Sequence, residues 1–281
     1  MFSRVRPLSS LSILDPRVAL ASGDVRQALD LLKSNVRRAP QDIGFRVFLF
    51  QLFCITGEWD RALGQLAVAS ELDLAVRAMA DIYGPAIRCE MLRAKVFAGT
   101  HTPTVLGEPG QWLPLLIEAL RLSTVGEVVQ AQHLRAAAFE AAPSTPARLD
   151  DVDAEWIADA DPRLGPVLEV VVEGQYFWTP ISRVSAIRIE PPSDLRDQVW
   201  LPVHFTWENG GTVAGFIPTR YPGTTAQSDP ALLLGRRTEW IGEGELAVPV
   251  GQRILITDQV DVALMDLRRL DLHPPSVAIV A

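Results

Sequence analysis

The sequence predicts a multidomain α and β protein, in which a helical N-terminal part precedes an α+β part of mainly antiparallel strands. Up to residue 142, apolar residues recur at helical spacing, whereas the chain from 143 onward has short apolar runs between Gly and Pro turns. The formal charge changes at the same place, from +1 over 1–142 to −9 over 143–281. Pro143 and Pro146 mark a linker there. We therefore expect two domains, 1–142 and 143–281.

A repeat in the helical part lies at 23–29 and recurs at 57–63. Both segments contain Gly, an acidic residue and Ala at the same spacing, and the offset of 34 residues is the tetratricopeptide period. Gly allows a tight turn between antiparallel helices, and the acidic residue favours the N-terminus of the next helix. The pattern predicts a tetratricopeptide-like α-α superhelix. Its helices are expected near 24–38, 42–56, 59–71, 76–97, 112–122 and 126–142.

The second part is expected to be rich in strands, because its apolar runs are short and bounded by turn residues. Residues 167–172 and 175–179 flank a Glu173–Gly174 turn, which predicts a hairpin. A second hairpin is predicted from 199–206 and 212–217. Such a pattern favours a barrel-like or curled antiparallel sheet with little helix. Other strands are expected at 184–189, 252–257 and 262–267.

Composition excludes several classes of protein. A hydrophobic content of 48% with 21% charged residues is typical of a globular chain, and a net charge of −8 argues against a nucleic-acid binder. The only cysteines, Cys54 and Cys89, fall in predicted helices, so we expect no disulfide framework and a cytoplasmic location. No apolar run approaches the ~20 residues of a membrane span. A loose lead-in over 1–17 and a loose tail after Leu272 are also expected.

Signatures of metal or cofactor chemistry are missing from the sequence. The four histidines are scattered, and the cysteines form no C-x-x-C pair. The sequence contains no G-x-S-x-G, Walker or G-x-G-x-x-G motif. We therefore expect no cofactor, no metal site and no catalytic residue.

The stretch from Trp156 to Trp178 concentrates charged and aromatic residues. Asp159, Asp161 and Arg163 lie within five residues, and together with Glu169 they could form a carboxylate cluster for acid/base chemistry or a divalent cation. The alternative, which we favour, is structural: the aspartates cap a turn before a proline and the arginine bridges to one of them. On that interpretation Trp156 and Trp178 anchor the first hairpin.

Arginines beside carboxylates and aromatics recur later in the chain. Arg196 and Asp197 form one such group, and Arg220 and Tyr221 form another. Arginine pairs with carboxylates and stacks on rings, so these groups could line a pocket for an anion or could be structural pins. Both readings stay open, with the structural one favoured. The structural signature comprises Trp156, Asp159, Asp161, Arg163, Arg196, Asp197, Arg220 and Tyr221.

Stacked helix pairs offer a concave groove for a partner. An apolar groove with a few charges suits an amphipathic helix from another protein. The alternative is that Val47, Cys54 and Ile55 are core between helices. The groove residues predicted from the helical register are Val47, Gln51, Cys54, Ile55, Asp81 and Arg88.

Five separated motifs carry a family resemblance. They are W-I-A-D-A-D-P-R-L-G-P-V-L-E at 156–169, Y-F-W-T-P at 176–180, L-R-D-Q-V-W at 195–200, P-T-R-Y-P-G at 218–223 and R-T-E-W at 237–240. In this order they resemble the ImpE family, the TagJ-type accessory proteins of bacterial type VI secretion systems.

The resemblance implies a non-enzymatic cytoplasmic adaptor with a tetratricopeptide-like domain followed by a mixed β domain. It implies one partner, the small subunit of the contractile sheath, bound through that subunit's N-terminal helix so as to influence sheath assembly or recycling. It brings no catalytic, metal or cofactor residues. The alternative function is an enzyme or small anionic-ligand binder that uses the Asp/Arg cluster of the second part.

Overall fold

The structure, a computed structural model, describes residues 15–244 and 247–272. The tail expected after Leu272, and all but the end of the expected lead-in, lie outside these ranges. That end is helical, because Pro16 occupies the first turn of a helix and Asp15 accepts a hydrogen bond from the Arg17 amide at 2.8 Å.

Seven α-helices precede residue 142 in the described part of the chain. Aspartate side chains cap four of them, since Asp24, Asp42 and Asp73, like Asp15, each accept a hydrogen bond from a backbone amide of the first turn. Consecutive helices pack against each other, as expected of an α-α superhelix. The helices are α1 (Pro16–Ala21), α2 (Val25–Arg38), α3 (Ile43–Thr56), α4 (Trp59–Leu72), α5 (Leu74–Phe97), α6 (Trp112–Thr124) and α7 (Val128–Ala141).

Strands dominate the remainder, together with one short helix, α8 (Pro230–Leu233). The strands are β1 (Ala147–Leu149), β2 (Val152–Ala154), β3 (Ile157–Asp159), β4 (Val167–Val172), β5 (Gln175–Pro180), β6 (Val184–Ile189), β7 (Trp200–Trp207), β8 (Thr212–Pro218), β9 (Thr238–Ile241), β10 (Val248–Gly251), β11 (Ile254–Thr257), β12 (Asp261–Ala263) and β13 (Arg269–Leu272).

The main sheet has eight strands in the order β2-β1-β13-β6-β7-β8-β4-β5, and every neighbouring pair is antiparallel. It is an open sheet rather than a closed barrel, because β2 and β5 end the order. Both predicted hairpins are present as β4–β5 and β7–β8. The predicted 262–267 strand is only the three-residue β12, since residues 264–266 form a turn. Strands β1, β2 and β13 were not predicted, because runs of three or four residues are too short to show the alternation of apolar and polar residues that is typical of a strand.

Helices and strands share their cores. Trp200 and Leu234 of the β part are buried among residues of α2 to α5, and Trp178 is buried among residues of α5 and α6. Gly57 ends α3 at a φ of 75°, and an added Cβ there would lie 2.7 Å from the Thr225 side chain. The β part is therefore packed directly against the helices. No helix among the described residues has the length and apolarity needed to cross a membrane.

Candidate functional site

The D-A-D-P-R segment forms a turn fixed by its own side chains. The Asp161 amide donates to Asp159 Oδ1 at 2.8 Å, and the Arg163 amide donates to Asp161 Oδ1 at 2.9 Å. The Arg163 guanidinium then pairs with the Asp161 carboxylate, with an Nη2–Oδ2 distance of 2.6 Å. Asp161 is fully buried. These hydrogen bonds join residues two positions apart, as in an Asx turn.

Glu169 on β4 lies at the centre of a buried ionic group. Its carboxylate receives two hydrogen bonds from Arg93 of α5, at 2.7 and 2.8 Å, and further ones from Arg253 and the Tyr176 hydroxyl. Arg253 also donates to Asp159, so one guanidinium joins two carboxylates. We call these five residues, Arg93, Asp159, Glu169, Tyr176 and Arg253, the junction network. Because Arg93 belongs to a helix and the others to the β part, the network joins the two parts.

Burial and pairing oppose each other in setting the pKa values of this network. Burial by itself raises the pKa of Glu169, but Arg93 and Arg253 outweigh it and hold that pKa at about 2. Burial raises the pKa of Asp159 to about 6 despite the attraction of Arg253. Glu169, with two arginines, is thus the carboxylate most firmly held in its charged form.

Arg220 makes a second connection between the two parts. Its guanidinium donates to the carbonyl oxygens of Ile55 at 2.8 Å and Cys54 at 3.1 Å, at the C-terminus of α3, and to Leu233 at 2.6 Å. Helix C-termini favour cations, because their last carbonyls lack intrahelical donors. Burial lowers the pKa of Arg220 to about 10.

Arg196 and Asp197 lie in a 3-10 turn at Leu195–Gln198 that packs on α3. Arg196 pairs with Asp194 at 2.7 Å and lies over the Tyr83 ring, 4.5 Å from its centroid. Asp197 accepts the backbone amides of residues 193 and 194. The arginines of the sequence signature therefore occupy three separate groups of contacts, and the structure does not bring them together.

A cavity of about 240 Å³ lies at the junction and is lined in part by Glu90, Arg93, Arg220 and Tyr221. Glu90 pairs with Arg93 at 3.3 Å, and Arg220 is held by the three carbonyls described above. Every arginine or carboxylate at this cavity thus has a protein partner. Within the described ranges, no group of three or more His, Cys, Asp or Glu side chains is placed to hold a metal ion.

The aromatic residues of the signature differ in their surroundings. Trp178 is fully buried and donates from Nε1 to the Tyr176 hydroxyl at 2.7 Å, so it anchors the β4–β5 hairpin as expected. Tyr221 is also buried, and its hydroxyl accepts the Ile254 amide at 2.8 Å. Trp156 is 37% exposed and belongs to none of the buried clusters, which corrects its expected anchoring role. It lines an open cleft of about 400 Å³ together with Phe139 of α7 and Pro143, so its side chain stays partly at the surface.

The predicted groove residues divide between a closed and an open surface. Cys54 and Ile55 are fully buried, and Gln51 donates to Asp194 at 3.0 Å, because the β part covers this face of α3. Val47 packs at the edge of the same core. By contrast, the two residues on α5, Asp81 and Arg88, are exposed.

An open cleft of about 550 Å³ lies between α5 and the face of strands β4, β8 and β7; we call it the α5 cleft. Its floor is largely apolar and includes Ile82, Pro85 and Phe216. The complete lining comprises Asp81, Ile82, Tyr83, Pro85, Val171, Glu173, Gly174, Glu190, Pro202, Val203, His204, Ala214, Gly215 and Phe216.

The N-terminal half of α5 extends this apolar surface. Leu74 is 77% exposed, Ile82 is 52% exposed, and Ala78 between them is exposed too. Their spacing of four residues places them on one face of the helix over about 12 Å. We call these three residues the α5 stripe. Large exposed apolar side chains in a row are typical of a protein-binding surface.

Three acidic residues line the α5 cleft: Asp81, Glu173 and Glu190, here called the rim carboxylates. All three are exposed, and none forms a hydrogen bond or ion pair within the described residues. No Lys or Arg belongs to the lining. Unlike the junction network, the cleft therefore carries uncompensated negative charge.

Two buried charges at the centre of the junction network, Arg93 and Arg253, were not predicted from the sequence. For Arg93 a signal existed: Ala86, Glu90, Arg93 and Phe97 lie at spacings of four, three and four, so two charges interrupt a buried helical face. Arg253 immediately precedes an apolar strand, and nothing near it in sequence indicates its distant carboxylate partners.

Comparison with known proteins identifies the family. The ImpE protein family matches residues 151–271. The chain is 47% identical over 255 residues to the "Type VI secretion system accessory component TagJ" of Pseudomonas aeruginosa, covering 91% of this chain and 90% of that protein. The crystal structure of protein VPA1032 from Vibrio parahaemolyticus has the same fold, with a TM-score of 0.84 at 25% identity over 92% of this chain and 97% of that one. The predicted fold class and family resemblance are both confirmed, and the chain belongs to the ImpE/TagJ family.

Proposed function

We propose that this protein is a type VI secretion accessory adaptor that captures the N-terminal helix of the small contractile-sheath subunit and so influences sheath assembly or recycling. The accessory role is supported by the 47% identity to the Pseudomonas aeruginosa component of that name. In this proposal the adaptor acts in the cytoplasm and works by binding rather than by catalysis.

The α5 cleft with its adjoining stripe is the observation that carries the proposal. A helix that buries apolar side chains in a groove needs an exposed apolar strip with room beside it. Ile82 and Leu74 provide such a strip, and the cleft continues it onto the sheet. The Asp/Arg clusters, in contrast, are occupied with internal contacts and offer no comparable surface.

The contribution of the partner helix is tested by removing it. The full-length protein is used to pull down the small sheath subunit, either intact or lacking its first helix. We expect capture of the intact subunit and loss of capture of the shortened one. A subunit whose first helix is replaced by a scrambled sequence of the same composition controls for length. Undiminished capture of the shortened subunit would contradict helix capture.

A further inference from the structure

The cavity of about 240 Å³ at the junction, here called the junction cavity, is lined by both parts of the molecule. Trp59 at the start of α4 and Ala94 of α5 belong to the helical part, and residues 220–225 come from the P-T-R-Y-P-G motif and the turn after it. Pockets for drug-sized ligands span about 300–1,000 Å³, so an occupant of this cavity is a smaller molecule.

Arg220 differs from the other deeply buried arginines, because Arg93 and Arg253 both pair with carboxylates. Arg220 is only 4% exposed, yet its guanidinium donates to backbone carbonyl oxygens alone and forms no ion pair within the described ranges. Burial lowers the pKa of this guanidinium to about 10, and the nearby Glu90 opposes the shift only in part. Arg220 is therefore a buried cation without an anion in contact.

Glu90 is a buried anion at the same cavity. Its side chain is 10% exposed, and its Oε2 accepts a hydrogen bond from Arg93 Nη1 at 3.3 Å. The shorter hydrogen bonds of Arg93, at 2.7 and 2.8 Å, go to Glu169 instead. Oε1 of Glu90 accepts no hydrogen bond from any residue that the structure describes. This oxygen is therefore available as an acceptor for a ligand.

Glu90 and Arg220 line one cavity without forming an ion pair with each other. Each is a buried charge, and a partner of opposite sign would offset the cost of burying it. A ligand with one cationic and one anionic group supplies both partners and leaves the net charge of the cavity unchanged. A simple anion would pair with Arg220 but would also be repelled by Glu90. A small zwitterion therefore fits the cavity better than an anion.

We propose that the junction cavity binds a free α-amino acid, whose carboxylate pairs with Arg220 and whose ammonium group pairs with Glu90. Arg220 offers its Nε–H, since its hydrogen bonds to the protein use only Nη1 and Nη2. Hydrogen bonds between charged groups are shorter and stronger than neutral ones. Trp59 and Val199 provide an apolar wall for the side chain of the ligand. The site shares no residue with the α5 cleft, so this inference stands apart from the proposed function.

Matched small molecules test the need for both charges. The full-length protein is screened with the twenty standard amino acids by thermal shift, and at least one is expected to raise Tm because a ligand of the folded state stabilises it. Calorimetry then compares the best binder with its analogues lacking the ammonium group or the carboxylate; for alanine these are propionate and ethylamine. Each analogue is expected to bind at least about tenfold more weakly, since it leaves one buried charge unpaired. No stabilisation by any amino acid, or equal binding of either analogue, overturns the proposal.

A pair of variants tests the location without changing either charge. Ala94→Trp places an indole at an exposed position of the cavity lining, whereas Ala78→Trp makes the same change at an exposed position of α5 outside the lining. Ala94→Trp is expected to weaken binding of the amino acid at least about tenfold by obstructing the cavity, and Ala78→Trp is expected to bind like wild type. Equal binding by wild type and Ala94→Trp shows that the ligand lies elsewhere and overturns the site.

Glu90→Gln tests the pairing with the ammonium group. This variant keeps the shape of the side chain but removes its charge, so the amino acid is expected to bind no more tightly than its analogue without the ammonium group. Glu140→Gln, at an exposed carboxylate of α7, is the control and is expected to keep the full preference. A full preference in Glu90→Gln overturns the proposed pairing. If Glu90→Gln fails to fold, Ala94→Trp still decides the location, because it leaves the ion pairs of the junction intact.

Discussion

Two carboxylates four residues apart show the two uses of negative charge in this protein. Glu169 is fully buried on β4 and is bound by two arginines and a tyrosine. Glu173, in the turn that ends the same strand, is exposed and lines an apolar cleft without a partner. The junction network holds the helices and the sheet together, whereas the rim carboxylates leave charge available to another molecule. An acidic residue in a recognisable motif is thus no guide to function until its partner is known.

The largest expected loss of stability comes from replacing the buried carboxylate of this pair, Glu169, with an uncharged amide. Glu169→Gln leaves Arg93 and Arg253 with an uncharged partner, and loss of one side of a buried ionic contact costs about 3–5 kcal/mol of stability. The matched change Glu173→Gln is expected to alter stability by less than about 0.5 kcal/mol. Chemical denaturation of both variants measures the difference. Similar losses for the two would remove the distinction between junction and rim.

Lowering the pH is expected to cause the next largest loss of stability. The pKa of Glu169 is lowered from 4.5 to about 2 in the folded protein. As the pH falls, this carboxylate is therefore protonated in the unfolded chain before it is protonated in the folded protein. The stabilisation is complete above about pH 4.5 and is lost as pH falls towards 2, amounting to about 3 kcal/mol. Asp159, whose pKa is raised to about 6, acts in the opposite sense, since its contribution is present below about pH 4 and is lost as pH rises through 6.

Unfolding free energies measured between pH 7 and pH 3 test the direction of both pH dependences. Below pH 4.5 the wild type and the triple variant D81N/E173Q/E190Q are expected to lose stability in parallel, because the rim carboxylates are exposed. The Glu169→Gln variant is expected to show a flatter profile in that range. An equally steep acid loss in this variant would show that other carboxylates carry the effect.

An intermediate effect is expected within the D-A-D-P-R turn. Asp161→Ala removes the partner of the Arg163 guanidinium and the acceptor of the Arg163 amide, which is expected to cost about 1–3 kcal/mol. Asp81→Ala, an exposed aspartate on α5, is the comparison and is expected to change stability little. Thermal melts of the two variants decide the point. A negligible shift for Asp161→Ala would mean that the turn is held by its backbone alone.

The smallest expected effect concerns the rim as a whole. The triple variant D81N/E173Q/E190Q is expected to stay within about 0.5 kcal/mol of wild-type stability, since exposed, unpaired carboxylates contribute little to folding. A stability loss of several kcal/mol would place these residues with the junction network instead.

Local signals in the sequence predicted much of the fold. The Gly-acid-Ala repeat fixed the α2–α4 register to within about two residues, and the Glu173–Gly174 turn identified the β4–β5 hairpin, where both turn residues have positive φ. The D-A-D-P-R turn was likewise predictable, because its hydrogen bonds join residues two apart. Each of these features depends on neighbours in the chain.

The features that could not be predicted depend on contacts between residues far apart in the chain. Arg93 meets Glu169 across 76 positions, and Arg220 meets Ile55 across 165, so no local pattern reveals either contact. For the same reason, only the α5 members of the predicted groove, Asp81 and Arg88, lie on an open surface. The helical register predicted that Gln51 and Cys54 line a binding groove, but in the structure the β part covers that face of α3, where Cys54 is fully buried and Gln51 donates to Asp194.

The contact of Arg220 with the C-terminus of α3 affects how the protein unfolds. A fragment that ended at residue 142 would keep α3 but lose the guanidinium that binds the carbonyls of Cys54 and Ile55, and would uncover Phe50 and Tyr83 where Trp200 now lies. Helices and sheet are consequently expected to melt in a single cooperative step. A partner helix seated on α5 would then protect the sheet from proteolysis as effectively as it protects the helices, because ligand binding stabilises whatever unfolds with its site.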